Sequence, residues 1–318
     1  MFLSRPLFRL VPDNTAIPFM KGRVLGLIFS ALLSLLSIGL AFYPGLEKGI
    51  DFRGGIIMEI RTPGPANLAA IRSAASGLNL GDVGVQEFGD ASTVLLRLPV
   101  QGDEAATQTA VNRIRGVLEE AAPGARLLRT EAVGNRVSAE LFQGSLIALG
   151  LSMLAMMAYI WFRFEWQFAV GAIATLLLET TKLVGFLAVT RIEFSLTTVA
   201  AVLTIIGFSI NDKVVVYDRM RENLRKYKTM PLRQLIDKSI NETLNRTVGT
   251  SLTLLLSSLP LALFGGDALS GFAWTMLFGI VASTSSSIFI AAPILLFLGE
   301  NRLRRNTEAL ASNPSKGL

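Results

Sequence analysis

Asp212 and Lys213 stand side by side in a segment that is otherwise apolar. The run from Phe194 to Phe208 carries no charge. Val214 to Val216 and Tyr217 are apolar again before a basic cluster at Arg219, Arg221, Arg225, Lys226 and Lys228. A carboxylate in a bilayer costs about 2.5–3.5 kcal/mol on insertion scales, which makes Asp212 the first candidate for function. The chemistry open to it is ion pairing or the exchange of a proton, because burial and a neighbouring cation push its ionisation in opposite directions. Other chemistry narrows quickly. The chain has no histidine, the commonest general base, and no cysteine, so thiolate metal sites and disulfides are excluded. No nucleophile stands near a base and no glycine loop fits a phosphate. The sequence therefore predicts neither an enzyme nor a bound metal or cofactor.

The elements that must position these charges follow from hydropathy. Of 318 residues, 51% are hydrophobic and 17% charged, and the mean hydropathy is +0.50. These values point to a multi-pass membrane protein. About 20 apolar residues cross the hydrocarbon core as a helix. Six stretches qualify: 24–43, 141–162, 168–189, 194–217, 244–264 and 272–298. The first is too long for a cleavable signal peptide, and Pro44, Gly45, Leu46 and Glu47 after it make no cleavage site. An N-terminal segment 1–23 and a tail 299–318 flank the spans. With both termini cytoplasmic, Arg5, Arg9, Lys21, Arg23, Arg163, the cluster from Arg219 to Lys238, and Arg302, Arg304 and Arg305 all fall on one side. The other side keeps Arg191 and no cation in residues 265–271. That bias predicts N-in, C-in topology. It also accounts for the net charge of +6 without nucleic acid as a partner. The basic segment 218–243 reads as a topology determinant touching anionic lipid, or alternatively as a docking surface for a partner.

Residues 44–140 between spans one and two are too many for a plain connector and should fold. Gly55 to Arg61 reads as a strand and Asn67 to Gly77 as a helix. Val83 to Phe88 and Thr93 to Val100 read as strands joined at Gly89-Asp90. Asp103 should cap a helix through Ala121, with Ala110, Val111, Ile114, Val117 and Leu118 at helical spacing, and Ala125 to Val133 closes the pattern. The order βαββαβ predicts an α+β domain of ferredoxin-like arrangement. At its entrance, Gly49, Asp51, Phe52, Gly54 and Gly55 suggest a tight turn. The glycines permit positive φ, and Asp51 can accept from nearby backbone amides.

Three motifs, GIDFRGG after the first span, GFSINDKVVVYDRMREN in the fourth and ETLNRTVGTSLTLLLSSLPLALFGG in the fifth, closely resemble the SecF family. That family supplies the smaller subunit of the SecDF protein-export complex, in the RND transporter superfamily. The resemblance implies six helices with one periplasmic domain in the bacterial inner membrane. It implies SecD, the SecYEG translocon, YajC, YidC and unfolded polypeptide in transit as partners, with proton-motive force aiding export. It further implies a proton relay or ion pair of Asp212 with Arg246. Asp212 lies shortly before the end of span four and Arg246 shortly after the start of span five, so antiparallel neighbours bring both to similar depth. Asn211 and Ser209 are then the supporting residues.

Span three departs from the family, which carries His-Asp where this chain has Leu178 and Glu179. Lys182 and Lys213 are further departures. At i,i+3 spacing, Glu179 and Lys182 can pair within one helix. Lys213 should snorkel to the headgroups, with competition against Arg246 for Asp212 as the alternative. The serines at 257–258 and 283–287 read as small residues that let helices pack closely, and Pro260 and Pro293 as bends. Two further function classes stand beside the export subunit: an RND-type small-molecule exporter and a non-transporting membrane scaffold.

Overall fold

The computed structural model describes residues 12, 15–81, 83–102 and 104–297. In chain order its elements are α1 (Arg23–Leu40), α2 (Ile50–Arg53), β1 (Gly55–Arg61), α3 (Leu68–Ser76), β2 (Gly84–Phe88), β3 (Asp90–Leu98), α4 (Glu104–Ala121) and β4 (Arg126–Val133). There follow α5 (Asn135–Arg163), α6 (Trp166–Thr190), α7 (Leu196–Lys226), α8 (Leu232–Phe264), α9 (Gly266–Ser286) and α10 (Ala292–Phe297). Six helical segments are long and apolar enough to cross a membrane: Arg23–Gly45, α5, α6, α7, α8 and Leu269–Phe297. The expected fold class, six spans with one small α+β domain, is therefore present. Asp103, Leu298 and the cations Arg5, Arg9, Arg302, Arg304 and Arg305 lie outside the described residues.

Two compact units emerge. One comprises Glu47–Ala148 with Glu193–Val199. Its four strands are antiparallel in the order β2-β3-β1-β4, which makes β1 and β3 the central strands. Alternation along β1 puts Ile56, Met58 and Ile60 on one face, where they meet Ile71 and Ala75 of α3 and Val111, Ile114 and Leu118 of α4. Burying a side chain of that size contributes about 1.5–3 kcal/mol, so this single face holds the module together. Asn67 caps α3, accepting from the Ala70 amide at 3.1 Å. Gly89, at φ 76°, turns the β2–β3 hairpin.

The other unit holds residues up to Leu46, Leu149–Ile192 and Ala200 onward. Small residues bring its helices close. The buried side chains of α1 are Ser30, Ser34 and Ser37. A side chain at Gly185 of α6 would collide with Ser37, and one at Gly279 of α9 with Ile205 of α7. Such contacts suit a bilayer, where tight packing replaces the hydrophobic effect between helices. At one end, Phe164, Phe168 and Tyr217 pack edge-on, with Tyr217 ring centroids 5.9 and 5.1 Å from the two phenylalanines. The Tyr217 hydroxyl donates to the carbonyl of Ala291 at 3.3 Å.

The segment expected as a basic loop, 218–243, is mostly helix. Residues 227–231 alone join α7 to α8. Polar contacts explain the extension: Arg219 pairs with Glu222 at 2.5 Å and with Glu242 at 2.7 Å, and Lys238 pairs with Glu242 at 3.1 Å. Asn223 donates to Ser239 and Glu242. Apolar composition marks where hydrocarbon ends, and these helices are held beyond that point by charge. The chain before α1 is tied to the same extension, with the Met20 amide donating to Asp237 and the Ile17 amide to Asn241.

Candidate functional site

Helix α7 buries Ile205, Ile206, Ser209, Ile210, Asp212, Lys213, Val216, Tyr217 and Met220, a stripe at three- and four-residue spacing. Both charges of the Asp212-Lys213 pair fall within it. On α6 the buried set includes Glu179, Lys182, Leu183 and Leu176. Among the described residues, Glu179, Lys182, Asp212 and Lys213 are the only charged side chains that are buried, at 5%, 6%, 4% and 1% exposure. Two acids and two bases share the interior of one helical unit, and their formal charges cancel.

Their pairing differs from the expectation. Lys213 donates from Nζ to Glu179 Oε1 at 2.9 Å and Oε2 at 3.1 Å, across the α6–α7 contact. Ser209, one turn earlier on α7, donates to Glu179 and accepts from Lys213. Lys213 therefore neither snorkels to a headgroup nor competes for Asp212. A nearly inaccessible ammonium needs a desolvated carboxylate, and Glu179 reaches it from the neighbouring helix. The Glu179–Lys182 pairing that the spacing allows is not an ion pair here: Lys182 turns to α9, where its Nζ lies 3.4 Å from Ser286 Oγ. Ser286 thus does more than pack, a role that its place in a run of serines did not reveal.

Asp212 is left differently. Its Oδ2 is buried and has no hydrogen-bond partner. No ion pair joins it to Arg246 among the described residues, because Arg246 is exposed, off the buried stripe of Thr243, Leu244, Thr247 and Ser251 on α8. Ser209 belongs to the Glu179–Lys213 cluster rather than to Asp212, and Asn211 is exposed. The site thus divides into a self-neutralised Glu179–Lys213–Ser209 knot and a separate carboxylate, Asp212, with an unused acceptor. A cavity of about 10 Å³ borders Glu179, Thr180, Leu183, Ile206 and Gly279, the lower limit for a single water.

The GIDFRGG residues form a different structure, within the α+β unit. Gly49 donates from its amide to the Phe194 carbonyl at 3.0 Å. Asp51 accepts from the Leu196 amide at 2.9 Å, covering one free donor at the start of α7. Phe52 is buried against Phe142 and Phe194, with centroids 5.4 and 5.2 Å away. Gly54 and Gly55 take φ of 71° and 126°, and a Cβ at Gly55 would strike the Leu98 carbonyl. The motif is a seat for residues 193–199 of the same unit, and its tight-turn geometry was legible from the glycines.

A family profile described as "Protein export membrane protein SecD/SecF, C-terminal" matches residues 114–301. The chain is 39% identical over 301 residues to the protein translocase subunit SecF of Cereibacter sphaeroides, covering 92% of this chain and 93% of that protein. It is 41% identical over 291 residues to the SecF of Rickettsia conorii, covering 90% and 93%. Among solved structures it is similar to SecDF of Thermus thermophilus, a translocon-associated membrane protein, with a TM-score of 0.80 and 30% identity over 91% of this chain. It is also similar to SecDF in a super-membrane-facing form, with a TM-score of 0.61 and 31% identity over 96% of this chain. The chain spans 39% and 41% of those two SecDF chains.

Proposed function

Because the chain belongs to the SecD/SecF family of protein-export membrane proteins, as a SecF-type translocase subunit, we propose that it works with a SecD partner in the bacterial inner membrane. There it uses the proton-motive force to assist export of unfolded polypeptide through SecYEG, with YajC and YidC as further associates. Both termini and the basic ends of α5, α7 and α8 face the cytoplasm, and the α+β unit faces the periplasm. The carrying observation is Asp212: a carboxyl 4% exposed on an apolar helix, with Oδ2 unpartnered. The nearby buried lysine is already engaged by Glu179. Asp212 is the group that takes up and releases the proton. One charge crossing 100 mV supplies about 2.3 kcal/mol, enough to bias a conformational equilibrium. Arg246, exposed on α8 of this chain, is the cation that SecD's spans meet.

The test is Asp212→Asn in the complex with SecD, assayed for preprotein export into vesicles with and without an imposed proton-motive force. The variant should insert and copurify with SecD normally, while the force-dependent stimulation disappears. Undiminished stimulation would remove Asp212 from the coupling step.

A further inference from the structure

Helix α7 has 31 residues and, at 1.5 Å per residue, runs about 46 Å, well beyond the roughly 30 Å of hydrocarbon. On the topology proposed above, its last turns, from Asp218 onward, stand at headgroup level beside Arg163, the last residue of α5. Between them opens a cleft of about 630 Å³ lined by Arg163, Asp218, Arg221, Glu222, Arg225 and Lys226. Four cations there face two lining carboxylates, both occupied, while a third carboxyl, that of Glu165, is buried close by and feels Arg221 and Arg225. Asp218 accepts from Arg163 at 3.0 and 3.1 Å and lies 3.9 Å from Arg221. Glu222 pairs with Arg219, outside the cleft. Among the described residues, Arg225 and Lys226 enter no ion pair.

The cleft is also built. The guanidinium carbons of Arg163 and Arg221 lie 5.0 and 5.7 Å from the Phe164 ring centroid, which fixes both groups on an aromatic floor. Arg221 Nε is buried with no hydrogen-bond partner. Cations in a last helical turn complement the helix dipole, which accounts for Arg225 and Lys226. It does not account for two guanidiniums on one ring, or for a buried donor left unused. The surroundings point to lipid. Tyr159, Trp161, Phe162 and Trp166, before and after Arg163, are all exposed, as in an aromatic belt. Deeper along α5, Leu151 and Leu154 are exposed and offer an apolar track for acyl chains.

We propose that this cleft binds the phosphate of an anionic glycerophospholipid, with Arg163, Arg221, Arg225 and Lys226 around the headgroup and the acyl chains against α5. Basic recesses between membrane helices recognise such headgroups. The site is separate from the buried Glu179–Lys213 knot and from Asp212.

The test uses the full chain with its SecD partner, reconstituted in phosphatidylcholine containing brominated phosphatidylglycerol, with Trp274→Phe in this chain. Quenching by the brominated lipid is read as the difference between Trp161/Trp166-containing complex and the same complex with both replaced by phenylalanine. Brominated phosphatidylglycerol should quench at low mole fraction, where brominated phosphatidylcholine does not. Arg225→Gln/Lys226→Gln, which breaks no ion pair, should weaken that preference roughly thirtyfold. Arg233→Gln, a basic-segment cation outside the cleft, should leave it unchanged. Equal quenching by both lipids, or an equal loss with Arg233→Gln, overturns the site and leaves net charge alone. Loss of the preference in millimolar inorganic phosphate at constant ionic strength overturns the lipid in favour of a free anion. An acidic polypeptide retained by the parent complex and lost in the double variant, without lipid preference, reassigns the cleft to a protein partner.

Discussion

Lys213 donates to both carboxylate oxygens of Glu179, at 2.9 and 3.1 Å from the neighbouring helix, and leaves Asp212, its own neighbour in the chain, with an unpartnered buried oxygen. Adjacent residues on α7 are thus separated in role by the 100° step between them. One joins two helices, and the other keeps a buried acceptor unused.

Removing one member of the knot strands the other. Glu179→Gln and Lys213→Met should each lower stability by about 3–5 kcal/mol, the usual cost of an uncompensated buried charge. The double variant Glu179→Gln/Lys213→Met should recover most of that loss. Unfolding of the purified chain in detergent reads all three. Additive losses in the double variant would mean that the two side chains do not act as a pair.

Arg246 should behave in the opposite way. Being exposed and unpaired with Asp212, it can be replaced by alanine with a stability change within about 0.5 kcal/mol. Force-dependent export in the SecD complex should nevertheless fall. A drop in the stability of the isolated chain as large as that of Lys213→Met would show that Arg246 has a buried partner after all.

Glu165, between α5 and α6, carries a pH signature. Burial pushes its carboxyl above the ordinary value of 4.5, outweighing the opposing pull of Arg221 and Arg225, and both oxygens are buried without partners. A carboxyl raised on folding favours the folded state while protonated. Its contribution is complete below pH 4.5 and fades as pH rises through the elevated folded value. Glu165→Gln should therefore flatten the decline in stability above pH 4.5. A melting-temperature profile parallel to that of the parent chain would contradict this.

Asp51 should show its capping role locally. Asp51→Ala frees the Leu196 amide, whose hydrogen exchange should quicken about tenfold, the size of an ordinary cap. Asp51→Asn retains an acceptor and should exchange close to the parent rate. Equal rates for all three would place the Leu196 hydrogen bond elsewhere.

Much of this architecture was legible in the chain. Apolar length marked six spans, and period-two alternation through Ile56, Met58 and Ile60 marked a strand with one buried face. Glycines at 54 and 55 announced a turn. The partner of Lys213 was not legible, because helical spacing within α6 offers Lys182 to Glu179, while rotation of α6 against α7 offers Lys213. That phase is a matter of tertiary packing between helices, which spacing along one helix does not encode. The cleft beside Phe164 was hidden for the same reason: Arg163 and Arg221 are 58 positions apart and meet through the aromatic ring between them.

The Glu179–Lys213 bond also bears on how the chain enters the bilayer. Each of α6 and α7 carries one acid and one base into hydrocarbon, and each charge met alone costs about 2.5–3.5 kcal/mol. Within α6, Lys182 can shield Glu179 only as an i,i+3 neighbour, whereas Lys213 engages it with two hydrogen bonds once α7 lies alongside. The connector between these helices is residues 191–195, short enough for both to be delivered together. Insertion as a paired hairpin is consequently the least costly route during synthesis, and Glu179→Gln or Lys213→Met should slow membrane insertion as well as lower the stability of the inserted chain.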